Sequence, residues 1–173
     1  MLILNSILFT LVVLQESRTA PQTRIGFTVP KAPWMMGVPS DTFEVSQQRM
    51  KPDGTAAYFM LTKGSGGLIV SFWIEPIRDC KTAISCRDAS WKAEKAKLGN
   101  AEGVAMSEVG DAAVVEYLIP TVAKMKVDQK NMHAYFVRDG FWIDFHLSQM
   151  AYREADHDRF TDFIRAVTFE PKK

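Results

Sequence analysis

The residues of this chain best placed for chemistry are two histidines, an aspartate and a tyrosine in one short stretch: His133, Tyr135, Asp144 and His146. Between them lies Asp139-Gly140, flanked by alternating runs from Asn131 to Arg138 and from Phe141 to Ser148. Asp-Gly in that setting predicts a type I′ hairpin turn, which needs φ > 0 at both central residues. Parity then sets the register. Phe136 pairs with Ile143, Ala134 with Phe145 and Met132 with Leu147 on an apolar face. On the opposite face Val137 pairs with Trp142, Tyr135 with Asp144, His133 with His146 and Asn131 with Ser148. A slip of one residue would mix polar and apolar side chains on both faces.

Directly opposed Cβ atoms in an antiparallel pair lie about 5 Å apart. The imidazoles of His133 and His146 are therefore expected within reach of one metal ion, with Asp144 as third ligand or orienting group. Two adjacent imidazoles also make a pH-responsive pair, because a second proton beside the first costs Coulomb energy. The competing reading is simpler: half-exposed strand residues beneath a helix, hydrogen-bonded to their neighbours. Tyr135 and Trp142 complete the candidate ligand-binding set, and Trp142 reads either as a partner-binding patch or as a floor for the Lys-rich helix.

Nothing else in the chain assembles a catalytic set. The serines are scattered and no Gly-x-Ser-x-Gly occurs. His157, between Asp156 and Asp158, reads as a solvated helix start rather than a relay, and Glu75 with Asp79 brackets a proline and a loop as surface turns commonly do. Gly64-Ser65-Gly66-Gly67 has no Lys-Ser or Lys-Thr ending and joins strand to strand, so it reads as a hairpin turn and not a phosphate cradle. The expectation is a protein that is not an enzyme, with no cofactor and no resident metal.

A formal charge of +1 with Lys and Arg interleaved among Asp and Glu argues against a nucleic-acid partner, which would call for a basic stripe. Hydrophobic residues make up 47% and charged residues 24% of the 173, an ordinary globular composition. Residues 1–22 hold an apolar run from Leu2 to Leu14 and read as a signal peptide or N-terminal anchor; residues 24–171 read as a single domain. No Lys or Arg precedes the run and no small-x-small site follows it, so an uncleaved anchor is the alternative and would be the only membrane contact. Cys80 and Cys86 are the only cysteines. An exported protein would join them as a local disulfide, a cytosolic one would bury them as thiols, and zinc would lack two ligands. Export to a periplasmic or extracellular space is the expectation.

Along the chain, Ile25 to Val29 predicts a strand, Lys31 to Pro39 a loop, Thr42 to Met50 and Thr55 to Lys63 two further strands. Leu68 to Glu75 is apolar on both faces and predicts a central strand covered on both sides. Ser85 and Asp88 are candidate caps for a helix to about Leu98, with Ile84, Trp91 and Leu98 as a narrow stripe. Strands follow at Val104 to Val109 and Ala113 to Ile119, where Pro120-Thr121 interrupts before the hairpin. A last helix carries Phe160, Phe163, Ile164 and Val167 at i, i+3, i+4 and i+7, and Thr168-Phe169 adds a short strand. The fold class is α+β: a twisted antiparallel sheet of hairpins flanked by two helices.

The segments IGFTVPKAPW (25–34) and YFVRDGFWIDFHLSQ (135–149) followed by DHDRFTDFIRAVTF (156–169) resemble the PsbP/Mog-like superfamily of photosystem extrinsic subunits, Ran-binding proteins and exported bacterial proteins. That resemblance implies an α/β/α sandwich used mainly to bind other proteins, and it carries over no functional residue. The leading functional expectation is an exported, non-enzymatic protein-binding or accessory domain, with another protein as partner. The alternative is a metal- or small-ligand-binding module built on the His133 and His146 face.

Overall fold

The computed structural model describes residues 23–40, 43–63 and 67–172. The N-terminal segment, the start of the strand expected at Thr42 and most of the Gly-rich turn lie outside the described residues. In chain order the elements are β1 (Arg24–Phe27), β2 (Trp34–Pro39), β3 (Phe43–Met50), β4 (Ala57–Lys63), β5 (Leu68–Pro76) and α1 (Ala83–Lys95). They continue with β6 (Glu102–Val109), β7 (Ala112–Val122), β8 (Met125–Arg138), β9 (Phe141–Gln149), a 3₁₀ turn (Glu154–Asp156), α2 (His157–Arg165) and β10 (Thr168–Pro171).

Seven strands form an antiparallel sheet in the order β3-β4-β5-β9-β8-β7-β6, and three form a second sheet in the order β1-β2-β10. Strands hold 55% of the described residues and helices 17%. The expected α/β/α sandwich flanked by two helices is therefore wrong. The layer facing the main core is a small sheet, to which α2 adds Phe160, Phe163 and Ile164. The error arises at Lys31 to Pro39, where two prolines suggested a loop. Trp34, Met36 and Val38 in fact alternate inward as the central strand of the small sheet, and Pro39 ends the strand where it costs little of the ladder. Gly37 permits that packing, since a Cβ there would lie 2.7 Å from Thr168 Oγ1.

Phe27 meets Phe59 at 4.8 Å and Phe72 at 5.0 Å between ring centroids, which joins the two sheets. The opposite face of the large sheet carries a smaller core of Cys86, Trp91, Val115, Tyr117 and Tyr135. That core forms because α1 packs over β7 and β8. Thr82 caps α1: its hydroxyl accepts from the Ser85 N–H while Ser85 Oγ accepts from the Thr82 N–H, a reciprocal pair that satisfies two end donors. The N-cap thus lies three residues before the expected Ser85, and Asp88 lies inside the helix. Trp91 is buried on its inner side whereas Ile84 is exposed.

Two further expectations are corrected. Pro120 does not end its strand: β7 runs on to Val122 through an irregularity between Ile119 and Thr121, since a bulge tolerates the missing N–H. The chain then reverses at Ala123-Lys124, both at positive φ (49° and 68°). Neither residue type announces that turn in sequence. In addition, β5 is covered on one side only: Val70, Phe72 and Ile74 are buried while Ile69 and Trp73 are exposed. Helix α1 packs on β7 and β8, which leaves Ile69 and Trp73 of β5 open.

Candidate functional site

The β8–β9 hairpin has the register that parity implies. Tyr135 opposes Asp144, His133 opposes His146, Val137 opposes Trp142 and Asn131 opposes Ser148. Asp139 and Gly140 form the turn at φ 47° and 80°, as a type I′ reversal requires. Every candidate residue therefore lies on the face shared with α1, and they meet as a stack. The rings of His133 and His146 are 4.4 Å apart and 8° from parallel. His133 lies 6.2 Å from Tyr135, and Tyr135 lies 6.0 Å from Trp142 at 2° between planes.

Hydrogen bonds occupy both imidazoles. His133 Nδ1 lies 3.2 Å from Asp144 Oδ1, with both side chains mostly buried. His146 Nε2 lies 3.0 Å from Asn131 Oδ1. An amide oxygen only accepts, so Nε2 carries the proton. Gln129 Nε2 also donates to Asn131 Oδ1, and Asn131 Nδ2 donates to the Gln129 carbonyl, which fixes the amide's orientation. Burial, and then the neighbouring His133, push the His146 pKa down to about 3. Burial and the Asp144 charge push Tyr135 far above the phenol range, partly offset by a hydrogen bond to Ser90. Burial, with Glu94 and Asp144, pushes Tyr117 up to about 12.

Stacked imidazoles of this kind place their nitrogens side by side rather than aimed at one point. Among the described residues no group of three or more His, Cys, Asp and Glu is arranged to hold a metal ion. The geometry fits a buried polar ladder that aligns β8 with β9. His157 lies elsewhere, 3.8 Å from Glu116, whose carboxylate is paired with Lys130 at 3.1 Å. Asp156 is held by Arg153, Arg159 and Gln149, and the Arg153 hydrogen bond lowers its carboxyl below the usual range.

Beyond the ladder the same face is open. The register aligns Arg49, Tyr58, Trp73 and Asp144 in one row across β3, β4, β5 and β9, and Gln47, Met60, Ser71 and His146 in the next. The Tyr58 and Trp73 rings touch at 4.8 Å. Trp73 is 42% and Ile69 41% exposed, so an aromatic and aliphatic strip reaches solvent beside His146. Reading β5 as doubly buried concealed this strip. The signal lay in the α1 sequence, whose one large buried side chain is Trp91.

Cys80 and Cys86 are joined in a disulfide with Cα atoms 4.9 Å apart. Among the described residues no helix is long and apolar enough to cross a membrane. No protein-family model matches this chain, and no curated protein matches it.

Proposed function

We propose that this chain is an exported, non-enzymatic domain that binds another protein through the open half of its large sheet. One observation carries the reading: Trp73 and Ile69 are exposed on a face whose other half is already covered by α1. A flat strip of Tyr58, Met60, Ile69 and Trp73, bordered by Arg49, Asp144 and Glu75, has the apolar centre and charged rim of a docking surface. The disulfide supports export, because such bonds persist in oxidising compartments. The engagement of His133 by Asp144 and of His146 by Asn131 supports a structural role for the ladder in place of a chemical one.

A photo-crosslinking residue placed at Ile69 and, as a control, at Lys92 on the solvent side of α1 tests this in the native cells. A discrete heavier adduct from position 69 that is absent from position 92 is the expected result. Recovery of the unmodified chain alone from both positions overturns it.

A further inference from the structure

A second feature sits at the other end of the same face. A cleft of about 290 Å³ opens between the disulfide loop, α1 and the tip of the β8–β9 hairpin, at the small end of ligand-binding clefts. It is lined by the Trp142 indole, the Cys80–Cys86 bridge, Ala89, Ser90 and Ala93, and by the charged side chains Glu75, Arg78 and Asp79. We infer that this cleft binds an organic ammonium group against the Trp142 indole, with Glu75 and Asp79 supplying the counter-charge.

Three observations converge. Trp142 is half-buried and held parallel to Tyr135, so its ring is fixed before any ligand arrives. Glu75 is its direct cross-strand neighbour and is half-buried. Neither Glu75 nor Asp79 has a hydrogen-bond or ion-pair partner among the described residues. Arg78 also lines the cleft, is exposed and joins neither carboxylate in an ion pair, so the rim carries one net negative charge. An indole beside two unpaired carboxylates, with one net negative charge on the rim, favours a cation with an apolar shell over a neutral or anionic group. The loop is anchored for this purpose at both ends: the Ile77 N–H donates to the Gly140 carbonyl at 2.9 Å, and the disulfide ties Cys80 to the second turn of α1.

The ammonium could belong to a small quaternary amine or to a lysine of a partner chain. Titration of the disulfide-intact protein with tetramethylammonium, with choline and with N-acetyl-lysine methylamide, followed through the Trp142 indole N–H resonance, separates the two. A saturable shift with a millimolar Kd is expected from at least one of them, weakened fivefold or more in Glu75→Gln and in Asp79→Asn, and unchanged in Glu108→Gln on the distant edge strand. Response to tetramethylammonium and choline alone assigns a free amine; response to the lysine amide alone assigns a partner side chain. The inference is overturned if no ammonium shifts Trp142, if neutral 3,3-dimethylbutanol binds there as tightly as the ammonium that binds best, or if both carboxylate variants bind as the parent does.

Discussion

His133 and His146 lie face to face across β8 and β9 at 4.4 Å between ring centroids, one engaged by Asp144 and the other by Asn131. Burial first, and the neighbouring His133 ring second, disfavour a proton on His146.

A pH dependence of stability follows. His146 has a folded-state pKa of about 3 against an ordinary 6.5, so between those values the unfolded chain binds a proton that the native chain refuses. Its contribution is complete above pH 6.5 and is lost as the pH falls toward 3, at most ~1.4 kcal/mol per pH unit. Urea midpoints at pH 7, 5.5 and 4 should fall less steeply in His146→Gln than in the parent. Equal slopes in the two proteins would contradict the assignment.

Asn131 is 2% exposed and accepts from His146 while donating to the Gln129 carbonyl. Asn131→Ala strands a buried imidazole N–H and should cost about 1–3 kcal/mol in urea unfolding at pH 7. Asn131→Asp at the same pH should retain the hydrogen bond and raise the His146 pKa, visible in its Cε1–H titration.

Trp91 and Trp73 lie on the same face of the large sheet in opposite circumstances, 8% and 42% exposed. Trp91→Ala should cost about 3–5 kcal/mol by emptying the space beneath α1. Trp73→Ala should cost under about 1 kcal/mol while abolishing the adduct formed from position 69. Similar losses in the two thermal melts would mean that the open half of the sheet is structurally covered.

Reduction of Cys80–Cys86 releases a loop spanning six positions and should lower stability by about 2 kcal/mol in the chain-entropy model. The loosened loop should also weaken ammonium binding at Trp142. A gain of two hydrogens by mass on reduction checks the bond in protein recovered from its native compartment.

Ala123 and Lys124 reverse the chain at φ 49° and 68°, a conformation costly for side chains with a Cβ. Replacing the pair with Asn-Gly should stabilise the domain by about 0.5–1 kcal/mol, measured as a rise in the urea midpoint with unchanged slope.

Alternation read correctly in the β8–β9 hairpin and failed at β5, whose apolar outer residues Ile69 and Trp73 are exposed. The pairing of His133 with His146 and of Phe136 with Ile143 is local, because a hairpin with a known turn leaves only one register that separates oily from wet side chains. The same reasoning placed Phe160, Phe163 and Ile164 on the inner side of α2. It failed at Lys31 to Pro39, where the pairing partners Arg24–Phe27 and Thr168–Pro171 come from opposite ends of the chain, and at Ala123-Lys124, where the tertiary pairing of β7 with β8 forces a turn that the residue types do not favour.

By itself, then, the amino-acid sequence determined the β8–β9 hairpin, the face shared by its polar residues, the amphipathic last helix and the proximity of the two cysteines, all of which depend on neighbours a few positions away. Tertiary structure alone decided that the opposing layer is a second sheet, that α1 covers only half of the outer face, and that the two imidazoles stack instead of converging. Those outcomes depend on which distant surfaces meet and how far each reaches, and periodicity along the chain carries no measure of either.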